Sequence, residues 1–296
     1  QPARLLVLGD ETNLLVDDGS ADGFKYSTND RRGTTAGKCL LVPNIAQSVA
    51  TFYGMVFAAC NPTAATPRAF MQAQAGAMVD DAATGLKAQV DGVTDLGSTD
   101  MLVVMIGAND MIDLYQRKLA GEFTAATATA EAIRRGRVAA TQINRMLATG
   151  ARALVITIPD MGKSPFALAA DKTDAGAAAL MRTLSSEYNA ALRLGIDATD
   201  YDGRNYGLVL ADDVMAAIDR FPTSYLNSPS NITEPACPTV TADKCVLTDD
   251  VATTTLVAAA NANTNSYLWA SDRHMGAAAH VQIGAQAVSR AANNPF

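Results

Sequence analysis

The chain is 296 residues long with a formal net charge of −7, and 49% of its residues are hydrophobic against 18% charged, the balance of a globular core rather than of a disordered chain. No apolar run approaches the roughly 18 residues that would span a bilayer, and no basic cluster exceeds Arg134-Arg135-Gly136-Arg137. Nucleic acids and polyanionic membrane surfaces need a basic face to neutralise phosphate, so both are set aside as partners.

The chain opens on Gln1-Pro2 and enters a strand almost at once, as a cleaved precursor or a trimmed chain would. Residues 5–8 are four consecutive apolar residues, a short strand buried on both faces. Gly9 ends it, and Asp10, Glu11 and Thr12 follow where a polar turn leads away. Residues 17–38 are rich in Asp, Gly, Ser, Thr and Asn. Their D-G-S-A-D-G run faintly echoes a calcium loop, but Asn29 stands where a bidentate glutamate belongs, so the stretch reads as a solvated loop.

An apolar helix is expected over 45–58, a second strand over 68–73 ended by Ala75-Gly76-Ala77, and a helix over 79–93. Residues 101–106 form the clearest strand and run into Gly107-Ala108-Asn109-Asp110. An alanine-rich helix over 124–148 stops at Gly150. Then come a strand over 151–158 closed by Pro159, a helix over 174–195, a strand over 206–210 and a helix over 212–220. Residues 222–248 show little periodicity. A short extended piece over 267–270 and a helix over 276–292 close the chain.

Five strands alternating with helices imply right-handed crossovers and a mostly parallel sheet with helices on both faces. The expectation is one domain over 1–296, with a disulfide-containing insertion around 222–250. Four cysteines, Cys39, Cys60, Cys237 and Cys245, contain no C-x-x-C pair, which argues against zinc or redox chemistry. Three connectivities are possible, and the local pairs 39–60 and 237–245 are favoured because short loops close most easily. Disulfides place the chain in a periplasm or outside the cell.

Four pieces carry the chemistry: Gly9-Asp10-Glu11, Gly76, Gly107-Ala108-Asn109-Asp110 and Ser271-Asp272-Arg273-His274. In order and spacing they resemble the SGNH, or GDSL, hydrolases across most of the chain. The resemblance implies a flavodoxin-like three-layer sandwich and a lipase- or esterase-like activity on small-molecule or polymer esters, with no cofactor or metal. It also implies that Gly76 and Asn109 are oxyanion donors and that His274 is the base, with His280 completing an H-x5-H run.

Two positions depart from the family. Glu11 stands where the nucleophilic serine belongs, and Ser271 stands three residues before His274, where the family has aspartate; Asp272 is one residue later. Glu11 could serve as a base on water or attack directly. It could instead fold into the oxyanion hole and form an inert pair with His274, leaving a binding or structural protein. Thr12 is a third option as nucleophile. The candidate catalytic set is therefore Glu11, Gly76, Asn109, His274 and Asp272.

Overall fold

A computed structural model describes residues 1–201 and 203–293 of the chain. Its centre is a five-stranded parallel sheet of β1 (Arg4–Gly9), β2 (Ala69–Met71), β3 (Asp100–Met105), β4 (Arg152–Ile156) and β5 (Tyr206–Val209), in the spatial order β2-β1-β3-β4-β5. Strand direction alternates the side chains between two cores. Leu5 and Val7 of β1, Met101, Val103 and Met105 of β3, and Leu154 and Ile156 of β4 face one layer. Leu6, Leu8, Leu102, Val104, Ala153 and Val155 face the other. Both faces are covered, which is why these strands read as continuous apolar runs. Each fully buried Leu or Val contributes about 1.5–3 kcal/mol.

The first layer is built by α1 (Ile45–Phe52), α7 (Ala211–Arg220) and the closing helix α9 (Ala277–Asn293). The second is built by α2 (Leu86–Asp91), α3 (Ala108–Leu119), α4 (Ala125–Leu147) and α6 (Ala177–Gly195). Short helices α5 (Pro165–Ala170) and α8 (Pro222–Tyr225) complete the set. Among the described residues no helix is long and apolar enough to cross a membrane.

Helix ends account for the departures from the sequence expectation. The helix expected over 45–58 stops at Phe52, because Gly54 turns left-handed at φ +63° and Met55 N–H bonds back to Ala50 O while Gly54 N–H bonds to Thr51 O, a Schellman stop. The helix expected over 79–93 begins only at Leu86, since Asp81 draws the N–H groups of Ala83 and Thr84 into a turn. Three helices went unforeseen, α3, α5 and α8. The first begins inside Gly107-Ala108-Asn109-Asp110, which reads as a loop, yet buries Met111, Ile112, Leu114 and Tyr115 along one face.

At the end of β1 only glycine is possible. Gly9 sits at φ +128°, and a Cβ there would lie 1.8 Å from the Met105 carbonyl oxygen on β3. Gln89 on α2 clamps the same residue, accepting from Gly9 N–H at 2.7 Å and donating to Gly9 O at 2.8 Å. The chain therefore leaves the sheet in one fixed direction.

Residues 222–248 are less irregular than expected. Asn231–Pro235 pairs in parallel with Tyr267–Trp269, and the N–H groups of Ala236 and Cys237 bond to Trp269 O and Ala270 O. This lacing holds the segment that follows, closed by the Cys237–Cys245 disulfide, against the loop that carries His274. Cys39 and Cys60 form the second disulfide, so the local pairing is the one adopted. In the acidic loop, Asp17 and Asp18 accept from the N–H groups of Gly19 and Ser20.

His280 is buried in α9 at 1% exposure, with no hydrogen-bond partner for either ring nitrogen among the described residues. Burial, with the nearby charge of Lys25, pushes its pKa down to about 3.

The folded chain refuses His280 a proton that the unfolded chain accepts below about pH 6.5. Stability from this residue is thus present above that pH and is lost as pH falls toward about 3. His280→Leu is expected to flatten the loss of stability between those limits, measured by urea unfolding at a series of pH values; an unchanged slope would show that His280 does not contribute. The disulfides give a second expectation. Replacing Cys39 and Cys60 together by alanine should cost about 3 kcal/mol. The corresponding Cys237 and Cys245 pair should cost less, because its separation is 8 residues rather than 21. Urea midpoints in the opposite order would overturn the loop-length account.

Candidate active site

The strand order reverses at β1, whose neighbours are β2 and β3. In an open parallel sheet the crevice beyond the strand ends at such a reversal is where ligands bind. Glu11 follows β1 here, Gly76 follows β2, and Asn109 lies in the first turn of α3 directly after β3. Asp10 caps the short turn Glu11–Asn13 by accepting from Thr12 N–H at 3.0 Å. This turn directs Glu11, 6% exposed, toward its partners.

The Glu11 carboxylate binds three elements at once. Its Oε2 accepts from Gly76 N–H at 2.8 Å and from Asn109 Nδ2 at 2.9 Å, and its Oε1 lies 2.9 Å from His274 Nε2. On the far side of the ring, Ser271 Oγ lies 2.7 Å from His274 Nδ1. Ser271 Oγ also accepts from the backbone N–H groups of Arg273 at 3.3 Å and His274 at 3.2 Å, which closes the turn that presents the imidazole. The ring of Tyr26 is tilted against His274, with centroids 5.6 Å apart.

Asp272 does not take the place suggested by its position. Its carboxylate forms a two-point pair with Arg273, at 3.1 and 2.9 Å, and meets Ser271 Oγ only at 3.4 Å. The one-residue displacement turns it to the side of the loop, and Ser271 receives the ring nitrogen instead. His280, six residues on, points into the core and joins none of these contacts. Thr12 contributes its backbone N–H to Asp10.

Two residues outside the expected set hold the donors in register. Asp110, fully buried, accepts from Val79 N–H at 3.2 and 3.1 Å and pairs with Arg135 Nη1 at 3.0 Å. It thereby ties the loop carrying Gly76 to the helix carrying Asn109. Arg135 on α4 also binds Asp113 at 2.8 Å and Glu131 at 3.2 Å. The signal in the sequence was the acid beside Asn109; its partner 25 residues away was not legible.

Three acids lie close together, and their environments separate them. Burial pushes Asp10 up to about 7, helped by the neighbouring charge of Glu11. Burial likewise pushes Asp110 up to about 6, against the pull of the Arg135 guanidinium. Burial raises Glu11 too, but the hydrogen bond and charge of His274, together with the Asn109 amide, outweigh it and hold the carboxyl below its ordinary range. Of the three, Glu11 alone is held below the ordinary carboxylate range.

The site opens into a cleft of about 640 Å³, walled by Tyr26, Arg273 and the disulfide-closed segment from Pro238 to Ala242. Among the described residues no group of His, Cys, Asp and Glu is arranged to hold a metal ion. The geometry offers two N–H donors converging on one oxygen, an imidazole with one face on a carboxylate and the other on a hydroxyl, and space for a ligand. Acyl transfer is the chemistry that needs such parts.

Among solved structures, the chain is similar to a catalytic mutant of an acetylxylan esterase from Geobacillus stearothermophilus, with 12% identity over 97% of this chain and 93% of that one and a TM-score of 0.49. It is similar to an alpha/beta hydrolase enzyme from the metagenome of Lake Arreo, Spain (16% identity, 99% and 96% covered, TM-score 0.46). A phospholipase A1 from Streptomyces albidoflavus NA297 is also similar (13% identity, 98% and 99% covered, TM-score 0.44). No curated protein matches the chain. The model of the GDSL-like lipase/acylhydrolase family matches residues 22–284, a span that includes Gly76, Asn109 and His274 and begins after Glu11. The chain therefore belongs to the GDSL-like lipase/acylhydrolase family, hydrolases that act on ester bonds.

Proposed function

We propose that this chain is an extracytoplasmic ester hydrolase, secreted or periplasmic, whose site is built around Glu11 in place of the serine nucleophile. The observation that carries the reading is the convergence of Gly76 N–H, Asn109 Nδ2 and His274 Nε2 on one side chain at the mouth of an open cleft. The compartment rests on the two disulfides, which persist in oxidising surroundings. The substrate class is a small-molecule or polymer ester, with water as the final acyl acceptor.

Glu11 takes the role of the imidazole's anionic partner. An ionised carboxylate only accepts hydrogen bonds, so His274 carries a proton on Nε2 and directs it at Oε1. Gly76 and Asn109 hold the other oxygen and stabilise its charge. The same arrangement sets a limit. Oε2 lies where donors of this kind would receive a substrate oxyanion, and a second negative charge cannot develop there while the carboxylate stays. Turnover is therefore slow compared with a site that has serine at position 11.

A second reading has its own observation. A carboxylate that fills both donors and pairs with the histidine is the arrangement of an inert site, and a protein built that way would bind ligands in the cleft without cleaving them.

Variants separate the two. Combining Glu11→Ser with Ser271→Asp places a hydroxyl beside Nε2, an acid beside Nδ1 and two free donors at the oxyanion position. This double variant is expected to hydrolyse para-nitrophenyl acetate with kcat/KM at least about 100-fold above the parent. A parent that cleaves no ester, beside a folded but inert double variant, would leave only the binding reading. Glu11→Gln should lower parent turnover by roughly 10³–10⁴-fold, because an amide presents the wrong partner to Nε2. Parent activity that survives this change would remove Glu11 from the reaction.

A further inference from the structure

The order of groups through the imidazole is acid, ring, hydroxyl. Glu11 Oε1 is 2.9 Å from Nε2, and Ser271 Oγ is 2.7 Å from Nδ1. Since Glu11 can only accept, Nε2 holds the proton, and in the neutral ring the lone pair lies on Nδ1. The basic nitrogen of this site thus faces Ser271 and not position 11. Acid and hydroxyl have exchanged ends around one histidine.

We propose that Ser271 is the nucleophile of this site, activated by His274 Nδ1, with Glu11 as the acid that holds the ring. This rests on the hydrolase reading above and names the residue that reading leaves open. Ser271 lines the same cleft as Glu11 and His274, although only 6% of its surface is exposed. Its Oγ already accepts two backbone N–H groups, from Arg273 and His274. Those dipoles favour negative charge on the oxygen as its proton leaves. Asp272 and Arg273 pair with each other and leave Nδ1 to the hydroxyl.

The steps balance without a cofactor. Ser271 Oγ bonds to the ester carbon as its proton passes to Nδ1, and the carbonyl π pair moves onto the carbonyl oxygen. Collapse re-forms the carbonyl and expels the alkoxide, which leaves as the alcohol with the proton from Nδ1. Water then gives a proton to Nδ1 and adds to the acyl carbon. Collapse expels Oγ, which recovers that proton, and the acid is released. Throughout, the Nε2 proton stays directed at Glu11, the arrangement in which an acid orients and stabilises the imidazolium without being protonated itself.

The test is covalent mapping. The parent protein is treated with a fluorophosphonate, which phosphonylates activated serines, and the adduct is located by peptide mass spectrometry. Para-nitrophenyl acetate hydrolysis is followed in parallel. The adduct is expected on Ser271, and its rate of formation should fall at least about 100-fold in Glu11→Gln. Ser271→Ala should abolish the adduct and lower hydrolysis by at least about 100-fold.

Because Ser271 also closes its turn, a loss of activity alone would fit a structural role. The site of phosphonylation would not. An adduct on Ser271 in a parent that cleaves no ester supports the nucleophile while refuting the hydrolase reading. Ester cleavage that persists in Ser271→Ala, or an adduct mapped elsewhere, overturns the nucleophile and leaves the hydrolase reading standing. A parent inert to both reagents overturns both.

Discussion

One carboxylate holds the site together. Glu11 joins the turn after β1, the loop after β2, the first turn of α3 and the loop before α9, four pieces far apart in sequence. Its charge survives burial because each oxygen is matched. Two N–H donors meet Oε2 and an imidazole N–H meets Oε1, so the cost of removing the ion from water is offset by charge-assisted hydrogen bonds. The neighbouring acids make the point by contrast. Asp10, whose Oδ2 has no partner among the described residues, is pushed up by burial, and so is Asp110 despite its arginine. Of the three acids in this crevice, Glu11 alone is held below the ordinary carboxylate range, while Asp10 and Asp110 are raised above it.

That anion also decides what the histidine can do. In a site with a serine at the end of β1, the nitrogen facing that position must be the base. With a carboxylate there, the same nitrogen becomes a donor and the basic character passes across the ring to Nδ1. On this reading the chemistry is redirected by tautomer. The donors at Gly76 and Asn109 change meaning as well, from groups poised for a substrate oxygen to groups that fix the protein's own acid.

The surroundings keep the parts in register by packing and by a second set of charges. Gly9 brings β1 against the Met105 carbonyl so closely that no side chain fits, and Gln89 clamps it. Asp110 and Arg135 join the Gly76 loop to α3 from below. On the open side, the strand Asn231–Pro235 brings the disulfide-closed segment against the histidine loop and gives the cleft its outer wall.

Local pattern was enough for the sheet. The apolar runs at 5–8, 101–106, 151–158 and 206–210 contain nearly all of four strands, because a strand buried on both faces needs no partner to be recognisable. Helix limits were less legible. The end of α1 depends on the left-handed turn at Gly54, and the late start of α2 depends on Asp81 capturing two N–H groups. The turns bearing Glu11, Gly76 and Asn109 could be read as strand exits, and the family's motifs in that order named the class of chemistry. Which atom meets which could not be read, because hydrogen-bond direction is a property of three-dimensional placement. A one-residue shift between Ser271 and Asp272 is invisible as spacing, yet it decides whether the imidazole faces a hydroxyl or a carboxylate. Composition and order determined the sheet, the disulfide chemistry and the crevice; tertiary structure alone decided that Glu11 fills the donors and that Ser271 faces the free nitrogen, since both depend on contacts between segments that the chain joins only by folding.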